Sequence, residues 1–274
     1  MSTISRIVGG IMGIYSMEAA IEAARLEEQA YGGNYSIEAE FRNFSFAPNE
    51  VVMDAGCGTG VLSRYIAEHF KVKHIDALDY SDLRLKQAKD LLKGSAKRAI
   101  HFHQQNLNEL EPKFYGQYDT VICRYVIEHM KDPMLVLENL KKTLKQNGRM
   151  IIVELDGVLI NLYSNHHVFN RYLEELKGKI QFDMNIGKKV PSYLKRIGLS
   201  DIEWSASLVS CQGKNLLEER DNTMKRFIAL RDYFIGIFGT KERSEEFQRL
   251  YLEEMDKPEN TLVFTKYVCM GKNI

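Results

Sequence analysis

The sequence predicts an α/β protein with a doubly wound, mostly parallel sheet that is covered by helices on both faces. Short apolar runs alternate with amphipathic helical patterns from residue 51 to residue 155. The first run, residues 51–54, leads into three alternating glycines, Gly56, Gly58 and Gly60, before a helical pattern begins. A second run ends at Asp79, about 20 residues downstream of the loop. These features predict a ligand site at the carboxyl ends of neighbouring strands.

The predicted elements follow from apolar periodicity and from breaks at glycine, proline and asparagine. The predicted strands are residues 51–54, 74–78, 99–103, 118–123, 149–155, 202–209 and 261–270. The predicted helices are residues 17–30, a short helix capped by Ser36, 60–69, 82–93, 133–144, 158–179, 189–197 and two segments within 216–255. Asn147 and Gly148 predict a turn before the fifth strand. The long helical stretch before the last strand predicts an insertion that covers the site.

The composition is that of a globular protein. The chain has 274 residues, of which 45% are apolar and 27% charged, and this length suits one large α/β domain or one domain with insertions. The formal net charge is zero, so composition gives no reason to expect nucleic acid or an anionic membrane as a partner. The apolar residues 7–15 are too short to span a bilayer, and we expect them to form a helix that packs on the core, with a weak surface anchor as the alternative.

The four cysteines are widely separated and form no Cys-x-x-Cys pair. This spacing disfavours zinc and redox motifs, and no acidic cluster indicates magnesium, so we predict no metal. Free thiols in a reducing cytoplasm are the simplest interpretation.

The glycine loop has the spacing Gly-x-Gly-x-Gly, and Val61 stands where a dinucleotide pattern requires its third glycine. A strand-to-helix turn without a ligand is the alternative for such a loop taken alone. However, Asp79 is placed to accept hydrogen bonds from both hydroxyls of a ribose. Polar residues that could contact an adenine edge follow the third strand, and a fourth strand end lies beside the loop. Four such strand ends favour a ligand.

These motifs resemble those of class I S-adenosylmethionine-dependent methyltransferases, above all the small-molecule type of quinone biosynthesis and natural-product pathways. The resemblance covers residues 36–155 and rests on VVMDAGCGTG, LDYSDLRLKQAK, QQNLNEL, YDTVICRYVIEHMKDP and LKKTLKQNGRMIIVE, with weaker support from KKVPSYLKRIGLSDIEW and TLVFTKYVCMGK. It implies a Rossmann-like, seven-stranded sheet of order 3-2-1-4-5-7-6, with N-terminal helices and a helical insertion before the last strand. The implied single domain, 1–274, divides into an N-terminal helical lid (1–47), a cofactor-binding core (48–157) and an acceptor-side half (158–274) with the insertion at 213–257.

The resemblance implies S-adenosyl-L-methionine as the cofactor and assigns the glycine loop to its methionine part. Gly56 and Gly58 would pass beneath that part, with the Cys57 backbone alongside and Gly60 completing the loop. Asp54 would orient the loop and reach the cofactor ammonium through water.

For the adenosine part and the sulfonium, the resemblance implies further contacts. Asp79 would hold the ribose diol and Tyr80 would flank the adenine, near Gln105 and Leu107. The carbonyl of Cys123 and the neighbourhood of Arg124 would meet the ammonium and the sulfonium.

Two positions depart from the family pattern. Asn106 stands where the family usually has an Asp that accepts from the adenine amino group; its side-chain oxygen can still accept, but without charge. Arg84 stands where this type often has Met, so that its guanidinium would either stack on the base or point to solvent.

The candidates for proton transfer are His129, after the fourth strand, and His166, with its neighbour His167, in the region beyond the fifth strand. A structural or solvated role is the alternative for each. Tyr31 and Tyr35 flank two glycines before the first strand and could belong to a lid over the cofactor; a simple packing turn is the alternative. Six aromatic residues are compatible with an apolar acceptor pocket or with the core: Tyr163, Phe169, Tyr172, Phe227, Tyr233 and Phe234.

We therefore expect methyl transfer to an oxygen, nitrogen or carbon atom of a small organic acceptor. The fourth strand is not followed by Asn-Pro-Pro-Tyr, Asp-Pro-Pro-Tyr or a Pro-Cys nucleophile, which disfavours methylation of DNA adenine, glutamine or base carbon. The alternatives are a protein or RNA methyltransferase and a catalytically silent cofactor-binding module. The glycine spacing disfavours a nicotinamide dehydrogenase. We expect no nucleic-acid partner and no membrane span, and no feature of the sequence predicts an oligomeric state.

Overall fold

The computed structural model describes residues 20–94 and 96–274. The apolar residues 7–15 and the first three residues of the predicted helix 17–30 lie outside this description. The described helices are α1 (Ala20–Tyr31), α2 (Ile37–Phe41), α3 (Val61–His69), α4 (Asp82–Leu91), α5 (Ala96–Ala99), α6 (Pro133–Thr143), α7 (His167–Lys179), α8 (Val190–Arg196), α9 (Gly213–Ala229), α10 (Arg231–Phe238) and α11 (Lys241–Met255). The strands are β1 (Val51–Ala55), β2 (His74–Asp79), β3 (Ile100–Gln104), β4 (Tyr118–Arg124), β5 (Leu144–Asp156), β6 (Leu162–Tyr163), β7 (Ser200–Ser210) and β8 (Thr261–Lys272).

The sheet confirms the expected doubly wound architecture. Its order is β3-β2-β1-β4-β5-β8-β6, with β7 also paired to β8. Strands β1 to β5 run parallel, and β8 pairs antiparallel with β5, β6 and β7. Strands β7 and β8 are the sixth and seventh strands expected from the sequence, so the order 3-2-1-4-5-7-6 is confirmed. The two-residue strand β6 is an addition.

The central strands β1 and β4 and the second half of β5 are buried on both faces, as expected for parallel strands inside a sheet, whereas the outer strand β3 is less buried. All five residues of β1 are buried. One cluster joins β1, β4 and β5 to α6 and α8, and a second joins the other face to α2 and α3. A third cluster, rich in aromatic residues, holds α7 and the insertion helices α9 to α11 against β8. Helix α1 packs against α3 and against α9 of the insertion.

The helix predicted for residues 158–179 is wrong in its first half. The chain there turns through Gly157 and Leu159, whose φ angles are 94° and 65°, and then forms β6. Helix α7 begins only at His167, and the side chain of His166 caps its N-terminus. The apolar residues before β6 gave a helical pattern because they pack against the insertion, not because they form a helix.

Two further expectations need correction. The insertion contains three helices rather than two, because the chain also breaks at Leu230 (φ −102°, ψ 20°), where neither glycine nor proline marks the break. The turn expected at Asn147 and Gly148 lies inside β5, which begins at Leu144. Asn147 has a φ of 63° there, and its backbone N–H donates to the carbonyl of Asn273. In the described part of the chain, no helix is both long and apolar enough to cross a membrane.

Candidate active site

The glycine loop after β1 needs its three glycines for conformational and steric reasons. Gly56, Gly58 and Gly60 have φ angles of 80°, 54° and 73°, a region that other residues rarely adopt. A Cβ atom on Gly56 would lie 2.5 Å from Cγ2 of Val126 in the loop after β4. The backbone N–H groups of Gly56 and Cys57 both donate to the carbonyl of Leu78 in β2. The loop is thereby fixed against the ends of β2 and β4.

Asp79 at the end of β2 is a structural partner of this loop. Its Oδ2 accepts from the backbone N–H of Gly58 at 2.8 Å, and its Oδ1 accepts from the backbone N–H of Ser81 at 2.8 Å. Burial raises the pKa of the Asp79 carboxyl, while these backbone hydrogen bonds oppose the rise. Each oxygen keeps a second lone pair, so the carboxylate can hold the loop and still accept from a ligand.

Asp54 at the end of β1 is a second buried carboxyl beside the first. It is 2% exposed, and Ser63 Oγ donates to its Oδ2 at 2.6 Å. Burial raises its pKa to about 6, and the negative charge of Asp79 adds to the rise, whereas Ser63 and Arg124 oppose it. Two neighbouring carboxyls with raised pKa values favour a cationic ligand, because such a ligand would relieve their mutual repulsion.

Helix α1 covers the glycine loop. A Cβ atom on Gly58 would lie 3.6 Å from Cδ1 of Leu26 in α1. Glu27 accepts from Thr59 Oγ1 at 2.5 Å and from Arg64 Nη2 at 2.5 Å. Tyr31 is at the end of α1 and is 62% exposed. Glu27 could not be predicted as part of the site, because nothing local to α1 indicates a contact 32 residues away.

The residues expected beside an adenine differ in their exposure to solvent. Tyr80 is exposed, and Leu107 is buried in the core. The solvent-pointing alternative for Arg84 is wrong, since Arg84 is fully buried and its Nη1 donates to Gln87 Oε1 at 2.7 Å.

The polar side chains after β3 already have protein partners. Gln105 is buried and donates to Glu111. Asn106 Oδ1 accepts from both the backbone N–H and Nδ2 of Asn108 at 3.0 Å. This oxygen was expected to accept from adenine, but in this conformation Asn108 occupies both of its lone pairs.

The end of β4 carries an ion cluster that sequence reasoning missed. Cys123 is fully buried, and burial raises the pKa of its thiol. Arg124 Nε donates to Glu40 Oε2 at 2.6 Å, and its Nη2 donates to the carbonyl of Tyr35 at 2.7 Å. Glu40 also accepts from Tyr125 Oη at 2.6 Å and pairs with Lys266 at 2.8 Å. Arg124 therefore joins α2 and the loop before it to β4.

Glu154 in β5 is a further residue that the sequence did not reveal. Its Oε1 accepts from the backbone N–H groups of Val126 and Ile127 at 2.9 and 2.8 Å. Burial raises the pKa of this carboxyl well above its usual range, and the nearby charge of Glu128 adds to the rise. Glu154 fixes the loop that contacts Gly56. Its only signal was an acidic residue within the apolar run of residues 150–155.

The histidine candidates lie in different surroundings. His129 lies 3.3 Å from Glu128 Oε1, and its ring packs edge-on against Phe182. His166 Nδ1 accepts from the backbone N–H of Phe169 and so caps α7. His167 is exposed at the start of that helix. Two of the six candidate pocket aromatics, Phe169 and Phe234, are fully buried, whereas Tyr163 is 60% exposed.

The fold and the site define an α/β protein with a glycine loop and two buried carboxyls at the carboxyl ends of its central parallel strands, the edge at which such sheets bind their ligands. Residues 46–222 match the model of the methyltransferase domain family. Since this match covers more than half of the chain, the protein belongs to that family.

The curated relatives that the chain matches are methyltransferases as well. The chain is similar to the ubiquinone biosynthesis O-methyltransferase of Rickettsia conorii, with 29% identity over 157 residues, 52% of each chain. It is also similar to the enzyme of the same name from Marinobacter nauticus, with 33% identity over 36% of this chain and 42% of the relative. The chain thus matches about half the length of these curated relatives.

A solved structure supports the fold. Phosphoethanolamine N-methyltransferase 2 of Haemonchus contortus, in complex with S-adenosyl-L-methionine, has 17% identity and a TM-score of 0.62. The similarity covers 97% of this chain and 61% of that one.

Proposed function

We propose that the protein is an S-adenosyl-L-methionine-dependent methyltransferase that acts on an oxygen, nitrogen or carbon atom of a small organic acceptor. The observation that carries the proposal is the glycine loop that Asp79 holds at the ends of β1 and β2, with the buried carboxyl of Asp54 beside it. Family membership and the similarity to ubiquinone O-methyltransferases support it. When bound, the cofactor supplies a methyl group that is already activated by the adjacent sulfonium.

The residues of the chain bind and orient in this proposal. Gly56 and Gly58 let the backbone approach the methionine part, and Asp79 accepts from the ribose hydroxyls. Asp54 places negative charge near the cationic end of the ligand. Helix α1 covers the loop through Leu26 and excludes water.

The rest of the predicted cofactor set belongs to the same proposal. The adenine would lie near Tyr80, Arg84, Gln105 and Leu107. Asn106 would lie there too, but its Oδ1 would have to give up its hydrogen bonds from Asn108 before it could accept one from the base. The predicted cofactor-binding residues also include Gly60, Cys57, Cys123, Arg124 and Tyr31.

An acceptor that must lose a proton requires a base. We propose His129 for this role because it follows β4 and its Nε2 lies 3.3 Å from Glu128 Oε1, which would orient the ring. His166 keeps only Nε2 for such a role, since its Nδ1 caps α7.

We also propose the division of the domain into a lid (1–47), a cofactor-binding core (48–157) and an acceptor-side half (158–274). We place the protein in the cytoplasm, because its four cysteines are unpaired and buried.

The test is incubation of the protein with S-adenosyl-L-methionine labelled in its methyl group and a cell extract, followed by mass spectrometry of the small-molecule and macromolecular fractions. We expect label in small molecules. Label confined to macromolecules would overturn the small-molecule proposal. The absence of transferred label, despite bound cofactor, would favour the catalytically silent module. Tighter binding of NAD than of S-adenosyl-L-methionine would instead favour a dehydrogenase.

A further inference from the structure

Strand β7 lies at one edge of the sheet and is exposed to solvent. Among the described residues, β8 is the only strand that pairs with it, so the backbone N–H and C=O groups along its outer edge have no strand partner. None of its 11 residues is buried. Its two large apolar side chains, Trp204 and Leu208, are 58% and 69% exposed. An open edge with exposed apolar side chains is a template for pairing with another strand.

The part of β7 that can accept a further strand is bounded at both ends. The pairing with β8 is irregular between Ser200 and Glu203, where Asp201 has a φ of 48°. From Glu203 to Ser210 each residue is paired in a regular register. Helix α9 begins at Gly213, so the chain leaves the edge soon afterwards. The regular part of the open edge is therefore short, and its centre lies near Ala206.

The sequence of this part is nearly palindromic about Ala206, since residues 204–208 read Trp-Ser-Ala-Ser-Leu. Two antiparallel copies with a two-fold axis at Ala206 would place Trp204 opposite Leu208 of the second copy, and Ser205 opposite Ser207. Ala206 would then face itself. Residues directly opposite each other share a face of the sheet, so the Trp–Leu pairs would lie on one face and the serine pairs on the other. The strand is thus complementary to a second copy of itself.

The neighbouring strand extends the apolar face of this pairing. The Trp204 ring lies beside the ring of Tyr267 in β8, with centroids 6.3 Å apart. Tyr267 in turn packs against the buried cluster that contains β1, β4 and α8. A Leu208 side chain from a second copy would therefore cover Trp204 at the margin of an existing core.

The acidic residues of β7 favour the same register. Asp201 and Glu203 both lie near the start of the strand, and Asp201 pairs with Lys272 of its own chain at 3.1 Å. With the axis at Ala206, Glu203 would face Val209 of the second copy, and the two acidic ends would lie at opposite ends of the interface. An axis at Trp204 would instead make the two Glu203 side chains diagonal neighbours, and their charges would repel.

We propose that β7 pairs antiparallel with β7 of a second copy of the chain, with Ala206 on the two-fold axis, so that the sheet continues through a dimer. Each copy uses its open edge in the contact, so the assembly closes as a dimer and does not extend into a filament. Residues 203–209 are fewer than the roughly 20–30 residues that each partner contributes to a standard interface, so the dimer should form reversibly at micromolar concentrations. None of these residues belongs to the proposed cofactor set, and the inference is independent of the proposed function.

The experiment is analytical ultracentrifugation of the full chain at concentrations from about 1 to about 100 µM. We expect the wild type to change from one chain to two as the concentration rises. Ala206→Lys, at an exposed position, would place two ammonium groups opposite each other and should weaken dimerisation about tenfold or more. Ala206→Glu should weaken it similarly through two carboxylates. An equimolar mixture of the two variants should dimerise again, because Lys would then face Glu.

The matched control is Leu217→Lys, which introduces the same charge at an apolar residue of α9 that is 67% exposed; it should dimerise like the wild type. Thermal unfolding shows whether each variant is folded. A wild type that stays monomeric over the whole range, or unchanged dimerisation in both Ala206 variants, would overturn the inference. Loss of the dimer in Leu217→Lys would also overturn it, because the interface would then involve α9. Weakened dimerisation in each Ala206 variant without recovery in the mixture would overturn the register with Ala206 on the axis.

Discussion

Replacement of Asp79 by asparagine tests the proposed ribose contact with a nearly isosteric change. In the wild type, both oxygens of Asp79 accept backbone hydrogen bonds, from Gly58 and from Ser81. An amide has only one oxygen, so in Asp79→Asn one of these two N–H groups faces an NH2 group. The variant also lacks the charge and one of the acceptors that the two ribose hydroxyls would use.

The magnitude follows from the value of a hydrogen bond to a charged group, about 1.5–3 kcal/mol. Loss of one such bond should therefore weaken cofactor binding about ten- to hundredfold. The assay is isothermal titration calorimetry with S-adenosylhomocysteine, and thermal unfolding reports any separate loss of stability. Asp82→Asn is the matched control, because its carboxylate is 57% exposed and pairs only on the surface with Lys86. An affinity of folded Asp79→Asn within about threefold of the wild type would refute the ribose role.

Three further predictions concern the loop and its supports. Gly56→Ala should lower the free energy of unfolding in urea by about 1–3 kcal/mol more than Gly94→Ala does. Both glycines have positive φ, but only a Cβ atom at Gly56 would meet a neighbouring side chain. Equal losses of unfolding free energy in the two variants would contradict the steric argument. Glu40→Gln should lower the unfolding free energy by about 3–5 kcal/mol, because Arg124 and Lys266 lose their buried carboxylate partner. Glu38→Gln, at an exposed position of the same helix, should have little effect. A small loss of unfolding free energy in both variants would show that the ion cluster is dispensable. The folded-state pKa of Asp54 is raised from 3.8 to about 6, so its stabilising contribution is complete in acid and is lost as pH rises through 6. Urea unfolding should therefore show the wild type losing about 2.5 kcal/mol relative to Asp54→Asn between pH 4 and pH 7; a constant difference across this range would contradict the raised pKa.

The parallel core could be predicted from the sequence because its signals are local. Strand β1 is a short apolar run, Asp54 and Asp79 stand in the last two positions of β1 and β2, and the glycines follow β1 within five residues. The helix cap Ser36 is equally local, and its side chain accepts the expected backbone hydrogen bond.

The missed features depend on tertiary contacts. Glu40 meets Arg124 from 84 positions away, and nothing in α2 indicates that partner. Arg226 reads as one more charge on an amphipathic helix, although the fold buries it against Tyr35. The turn through Gly157 and Leu159 was missed because the apolar residues around it keep a helical spacing while they pack against the insertion.

A crystal structure of the protein with S-adenosylhomocysteine tests the central claim most directly. We predict electron density for the adenosyl group along the ends of β1 and β2, with the ribose hydroxyls within hydrogen-bond distance of Asp79 and the amino-acid part over Gly56 and Gly58. A compound bound elsewhere, or a ribose turned away from the Asp79 carboxylate in a fully occupied site, would contradict it.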